Sequence, residues 1–185
     1  MDAITDSSLL PWVLGTLALL LGWLLYRFEI GRRSRLDQVL NTIGFDRVHN
    51  LILPNGDDGE ILIDQLLLTS AGLLIVEIKN VEGNVFGSDK MDDWTVIGEE
   101  RRYTFPNPQP GLYDRIAAVR QVVRQVPVTG RIVFLDGAEF TKGKPGLVAT
   151  LDDLVEEFGE ANKKAAAVNV EAFTPHWDLI KKRVE

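Results

Sequence analysis

The feature that most constrains this chain is an uncharged, leucine-rich run near its N-terminus. No charged side chain occurs from Ser7 to Tyr26, and residues 9–26 read LLPWVLGTLALLLGWLLY. A helix of this length reaches about 27 Å, close to the roughly 30 Å hydrocarbon thickness of a bilayer. Trp12 lies near one end and Trp23 near the other, where interfacial aromatic residues are enriched. The run therefore predicts a single transmembrane helix over about residues 9–26.

The charges that flank this run predict how it is oriented. Asp2 and Asp6 precede it, whereas a cleavable signal peptide carries basic residues at that position, so an uncleaved anchor is favoured. Four arginines follow the run: Arg27, Arg32, Arg33 and Arg35. Because basic residues concentrate on the cytoplasmic side, we expect a single-pass membrane protein with a cytoplasmic domain. A signal peptide and a buried core helix are the alternatives.

The composition excludes several kinds of chemistry. The chain has no cysteine, which excludes disulfides, cysteine-ligated zinc or iron–sulfur clusters, and a cysteine nucleophile. Its 20 basic and 27 acidic side chains give a formal net charge of -7. An acidic chain is a poor non-specific polyanion binder, because counterion release requires clustered lysine and arginine. Any contact with nucleic acid is therefore expected to be local or assisted by a metal.

Beyond the apolar run, the hydropathy pattern alternates between strands and helices. The predicted strands are residues 47–53, 61–68 and 73–79, a hairpin of 94–97 and 101–105, and 131–135. The predicted helices are residues 36–43, 112–125, 151–158 and 175–184. This order predicts an α/β or α+β domain with a mixed sheet. We place the domain at residues 31–170, between an N-terminal segment 1–30 and a C-terminal helix 171–185.

One acidic residue interrupts an apolar strand. Asp64 lies within the predicted strand 61–68, where an unpaired carboxylate is costly to bury. On the next strand, Glu77 and Lys79 are two residues apart and therefore point to the same face. If the intervening turn is centred on residues 70–71, Asp64 lies opposite Glu77 with Cβ atoms about 5 Å apart.

Two carboxylates that face each other repel unless a cation binds between them. Mg²⁺ fits such a pair, because it takes one or two protein carboxylates together with water and substrate phosphate oxygens; Mn²⁺ is similar. Lys79 beside the metal could position an attacking water and stabilise charge on a phosphate, as metal-assisted phosphodiester hydrolysis requires. The alternative interpretation is a salt-bridged strand pair in which Lys79 neutralises one acid.

The wider context of these residues resembles the nuclease-related domain (NERD) family, a branch of the PD-(D/E)xK nuclease superfamily. The resemblance covers roughly residues 31–158. Its landmarks are residues 63–65, 72–80, Gly83, Trp94, 105–109 and 132–134. It implies a restriction-endonuclease-like fold, in which helices flank the central mixed sheet, with Asp64 and Glu77 as ligands of Mg²⁺ or Mn²⁺ and Lys79 as the catalytic lysine. It also implies that the substrate is nucleic acid, with DNA favoured over RNA. It suggests that the protein is located in a prokaryotic inner membrane.

The first helix departs from the family pattern. Family members often carry a Gly-Glu pair there, where this sequence has Arg32-Arg33, and Glu29 is the nearby acid. An acid from this helix is a common extra metal ligand in the superfamily. Two functions therefore lead: metal-dependent hydrolysis of nucleic-acid phosphodiesters by a membrane-anchored nuclease, and a catalytically inactive, membrane-tethered module that binds nucleic acid or protein. A third, a peptide- or lipid-facing adaptor in which the anchor is the main function, stays open without a motif to support it.

Overall fold

The computed structural model describes residues 10–55, 59–159 and 167–183. The helices in these ranges are α1 (Leu10–Ile43), α2 (Gln109–Val122), α3 (Leu151–Phe158) and α4 (Ala167–Lys181). The strands are β1 (Asp46–Asn55), β2 (Gly59–Thr69), β3 (Gly72–Lys79), β4 (Gly83–Phe86), β5 (Asp93–Ile97), β6 (Arg102–Pro106), β7 (Val128–Phe134), β8 (Ala138–Glu139) and β9 (Val148–Ala149). The chain divides into two compact units, with the boundary after Asp37, inside α1.

Helix α1 joins two segments that the sequence predicted as separate helices, residues 9–26 and 36–43. Its large apolar side chains between Leu14 and Tyr26 are exposed, up to 76% for Leu19. No helix in the described ranges is both long enough and apolar enough to cross a membrane. The first residue of the predicted span, Leu9, lies outside the described residues.

The central sheet is mixed, as the sequence predicted. Its order is β1-β2-β3-β7-β9, in which the first three strands are antiparallel neighbours and the last three are parallel neighbours. The chain between β3 and β7 includes α2, which contacts β7 more than any other strand. Parallel neighbours require such a long crossover connection, usually through a helix.

A second sheet, which the sequence did not predict, has the order β6-β5-β4-β8. The predicted hairpin is present as β5 and β6, but it belongs to this second sheet rather than to the central one. Its other members, β4 and β8, have four and two residues. Strands this short carry too little alternation for a pattern to reveal them.

The core of the domain lies on both faces of the central sheet. On one face, side chains of β2, β3 and β7 form a single buried cluster with residues of α2 and α4; its strand members include Leu66, Leu68, Leu73, Ile75 and Ile132. On the opposite face of the same strands, Leu67, Leu74 and Val133 are equally buried. A sheet buried on both faces has near-continuous apolar strands, which explains why Asp64 and Glu77 stand out in the sequence.

The C-terminal helix is longer than predicted. α4 begins at Ala167, and Pro175, at which the sequence placed its start, lies inside it. Trp177 is 1% exposed, and its indole Nε1 donates a hydrogen bond of 2.8 Å to Asp46 Oδ2 at the start of β1. The buried indole and this hydrogen bond attach α4 to the central sheet.

Candidate active site

The candidate site lies where β2 and β3 stop pairing with each other. Their ladder runs from the turn at residues 70–71 to the pair Gln65–Val76, which confirms the predicted register. Asp64 and Glu77 are the next residues on the two strands. Beyond this point β2 continues along β1, and β3 continues along β7. The strands therefore form a fork, with Asp64 on the β2 arm and Glu77 on the β3 arm.

The β2 arm has a break in its pleat at this level. Leu66 and Ile63 both belong to the same buried cluster, although residues three apart on a regular strand face opposite sides. In the register between β1 and β2, Asn50 is the residue across from Asp64, and this one position is missing from the ladder. Asn50 has a φ of 53°, in the left-handed region. Asp64, which is half-buried, therefore lies at a local distortion that both strands share.

Glu77 is the most buried acid of the site, with 7% of its surface exposed. Its Oε1 lies 2.8 Å from Lys79 Nζ, and its Oε2 lies 3.4 Å from Arg115 Nη1. A buried carboxylate requires such partners, because an unpaired charge in an apolar interior is costly. The Lys79 contact is the one that the salt-bridge interpretation expects, and it also keeps the ammonium group beside the carboxylate.

Arg115 was not identified from the sequence. This α2 residue donates from Nε to the carbonyl oxygen of Leu62 on β2 at 2.8 Å, and from Nη1 to Glu77 on β3. Its guanidinium therefore connects the two arms of the fork. One feature of the sequence pointed to Arg115: it directly precedes Ile116, at the edge of the apolar stripe of α2. The sequence alone does not show which strands this edge meets.

The N-terminus of α2 is fixed by a set of polar contacts. Gln109 is buried, and its Nε2 donates to Asp89 Oδ1 at 2.8 Å and to the Gly146 carbonyl oxygen. Asn107 Oδ1 accepts from the Gln109 amide. The hydrogen bonds from Gln109 and from the Gly146 amide lower the pKa of Asp89. Together they hold the first turn of α2 and so determine where Arg115, later in the same helix, meets the sheet.

α2 also packs unusually close to β7. At Gly130 of β7, a Cβ atom would lie 2.6 Å from Leu112 Cδ1 and 3.2 Å from Ile116 Cδ1. The missing side chain lets the helix lie directly on the strand that pairs with β3. This close packing brings the α2 edge within reach of Glu77.

The site offers two carboxylates to a metal. Among the described residues, no cluster of three or more potential metal-ligating side chains is present. The side chains of Glu29, Arg32 and Arg33, where the sequence departs from the family pattern, lie outside the described part of the structure. Two carboxylates still match the donor set that Mg²⁺ uses when water and substrate phosphate oxygens supply the other ligands.

A mixed sheet with an acid on each arm of a fork, and a lysine two residues after the second acid, is the arrangement that the resemblance predicted for a nuclease-related domain. Residues 29–135 match the model of the nuclease-related domain (NERD) family. The chain therefore belongs to this family, as the sequence resemblance implied.

The chain is also similar to an uncharacterized protein of Bacillus anthracis. The two are 30% identical over 78 residues, which is 42% of this chain and 37% of that protein. The chain thus matches less than half the length of this relative. No solved structure matches the chain.

Proposed function

We propose that this protein hydrolyses phosphodiester bonds of nucleic acid with a divalent cation held by Asp64 and Glu77. DNA is the favoured substrate. The observation that carries the proposal is the fork, in which Asp64 and Glu77 follow the last pair of the β2–β3 ladder and Lys79 contacts Glu77, in a member of the nuclease-related domain family. A cation bound there, Mg²⁺ or Mn²⁺, would act as a Lewis acid on the phosphate and would lower the pKa of the attacking water.

The protein's own residues have separate roles in this proposal. Asp64 and Glu77 would hold the cation from two neighbouring strands, directly beyond the last pair of their ladder. Lys79 Nζ, 2.8 Å from Glu77 Oε1, orients that carboxylate and supplies positive charge where a phosphate gains negative charge. Before a cation binds, Arg115 connects the β2 arm with Glu77 through its contacts with the Leu62 carbonyl and with Glu77.

The second candidate is a binding module of the same fold without chemistry, for nucleic acid or protein. The observation that favours it is the pairing of Glu77, both of whose oxygens contact cationic side chains. A carboxylate satisfied in this way has less need of a metal. In this case Asp64 and Glu77 would serve the structure of the fork, and purified protein would bind its partner without cutting it.

The test uses the whole 185-residue chain, purified in mild detergent, with supercoiled plasmid, single-stranded DNA and RNA as separate substrates. Each reaction contains Mg²⁺, Mn²⁺ or EDTA. Cutting is expected with either metal and not with EDTA. Asp64→Asn, Glu77→Gln and Lys79→Ala are each expected to lower the rate at least about a hundredfold, because each removes a group from the reacting centre.

The matched control is Glu99→Gln, which removes the same charge at an exposed turn. It should cut at the wild-type rate. Isothermal titration calorimetry with Mn²⁺ separates the two candidates, since the nuclease must bind the metal and the binding module need not. Folded wild-type protein that neither cuts any substrate nor binds the metal would favour the binding module.

Attachment to a membrane stays a prediction from the charge-free run and its arginine flank, with the domain on the cytoplasmic side. Wash-resistant sedimentation of the expressed protein with the membrane fraction, lost when residues 1–30 are deleted, would support it. Recovery of the full chain in the high-speed supernatant without detergent would contradict it.

A further inference from the structure

The guanidinium of Arg115 has unused hydrogen-bonding capacity. Its Nε bond to the Leu62 carbonyl is short, at 2.8 Å, whereas its Nη1 contact with Glu77 is long, at 3.4 Å. Within the described residues, its Nη2 group donates no hydrogen bond. The side chain is 26% exposed. Arg115 is therefore anchored by the backbone of β2, while its terminal nitrogens make only the long contact with Glu77 and the side chain is partly exposed.

The charges around Arg115 are acidic overall. A shallow cavity of about 190 Å³ adjoins it, lined by Glu60, Ile61, Leu62, Gly111, Asp114 and Arg115. The charged groups of this cavity and of the fork are four carboxylates (Glu60, Asp64, Glu77, Asp114) and two cations (Lys79, Arg115). Their formal charge of -2 repels a phosphate, and one divalent cation would cancel it. Nucleic acid is thus expected to approach this end of the sheet only together with such a cation.

A cation at Glu77 also competes with Arg115. Arg115 Nη1 and a bound metal would be like charges at the same carboxylate, so each would weaken the interaction of the other with Glu77. The long Nη1 contact is the easier of the two Arg115 contacts to give up. The Nε bond to Leu62 would keep the guanidinium at the fork, with its two terminal nitrogens available for bidentate contact with a phosphate.

We propose that Arg115 binds a phosphate of the nucleic-acid substrate and is released from Glu77 when a divalent cation binds there. This inference rests on the proposed function. It assigns opposite effects to one residue: Arg115 weakens binding of the metal and strengthens binding of the nucleic acid. A residue with a merely structural role would affect both in the same direction, because loss of structure weakens every ligand.

The test compares the wild-type chain of 185 residues with Arg115→Gln, Arg115→Lys and the control Arg124→Gln. Arg124 is exposed and lies just after the end of α2, so its replacement removes the same charge away from the fork. Mn²⁺ affinity is measured by calorimetry without nucleic acid. Affinity for a labelled single-stranded oligonucleotide is measured by fluorescence anisotropy with Mn²⁺ present, in a Lys79→Ala background so that the oligonucleotide is not cut.

Arg115→Gln should bind Mn²⁺ up to about fivefold more tightly, the range expected when a partly exposed ion pair stops competing. It should bind the oligonucleotide about tenfold more weakly, and the salt dependence of log affinity should become shallower by about 0.7 for the lost phosphate contact. Arg115→Lys keeps the charge and should keep the salt dependence. Arg124→Gln should change neither affinity.

Two outcomes would overturn the inference. If Arg115→Gln lowers the affinity for both Mn²⁺ and the oligonucleotide, Arg115 is a structural residue. If it changes neither affinity relative to Arg124→Gln, Arg115 has no role in binding. Both outcomes can be observed while wild-type protein still binds Mn²⁺ and cuts nucleic acid, so neither contradicts the proposed function. Wild-type protein that neither binds Mn²⁺ nor cuts would overturn the proposed function and this inference with it.

Discussion

Replacing Asn50 by valine should destabilise this protein by about 2 kcal/mol, whereas replacing it by glycine should leave stability within about 0.5 kcal/mol. Asn50 lies in the middle of β1, yet its φ is 53°, a region that asparagine and glycine tolerate and β-branched residues avoid. Its side chain is exposed, so the substitution loses no buried surface. The backbone conformation alone should determine the result.

The strand could in principle escape the strain by becoming regular. Leu51 and Leu53 are fully buried beyond Asn50, while Val48 is buried before it, so the left-handed residue moves the buried face from even to odd positions. A regular β1 would turn Leu51 and Leu53 to solvent, at about 1.5–3 kcal/mol for each leucine. This loss exceeds the strain of about 2 kcal/mol, so the valine variant should keep the distortion and the strain with it.

Urea unfolding followed by circular dichroism measures the effect, with Asn50→Ala as the intermediate case at about 1 kcal/mol. The order of stability should be glycine and asparagine first, then alanine, then valine, because it follows tolerance of positive φ. The opposite order, with valine most stable as strand propensity would favour, would show that β1 is regular at Asn50. The explanation of how the β2 arm presents Asp64 would then fail as well.

Two further predictions concern stability. Gly72→Ala should cost more than about 2 kcal/mol in urea unfolding, because φ is +123° and the new Cβ would lie 2.3 Å from the Pro127 carbonyl oxygen; Gly143→Ala, at φ +91° with no atom near, should cost less, and equal losses would contradict the clash. Burial raises the pKa of Asp46, but its hydrogen bonds, of which the one from Trp177 is the strongest, lower the pKa by more. The pKa of Asp46 is therefore below its ordinary value of 3.8. The stability that Asp46 contributes is therefore complete above pH 3.8 and is lost as pH falls through the lowered pKa. Asp46→Asn should melt at a lower temperature than wild type at pH 7, and its melting temperature should fall less between pH 7 and pH 3. Equal falls of the melting temperature in thermal scans would contradict this.

The register of the β2–β3 hairpin could be predicted because the sequence determines it locally. Two apolar runs are separated by a short polar turn, and Gly72 at φ +123° closes this turn where another residue would be strained. A slip of one residue would move every apolar side chain to the other face. The placement of Asp64 and Glu77 at the same level of the two strands follows from this register.

Other features depend on contacts between distant parts of the chain. The predicted helices 9–26 and 36–43 form one helix, because Gly31 between them costs only about 1 kcal/mol inside a helix and α1 continues through it. The second sheet contains strands of two and four residues, which only their neighbours stabilise. Arg115 reaches Glu77 because Gly130 and the contacts of Gln109 fix the position of α2, and no local pattern contains that information.

The acidic character of the chain and a polyanionic substrate are compatible if the cation is part of the recognition. The charged groups named at the fork and its adjoining cavity carry a formal -2, which would repel bare nucleic acid there. A divalent cation between Asp64 and Glu77 would remove this barrier and would provide a ligand position for a phosphate oxygen. Selectivity of this kind would limit contact with nucleic acid to the metal-loaded state, which an acidic domain achieves more readily than a basic one.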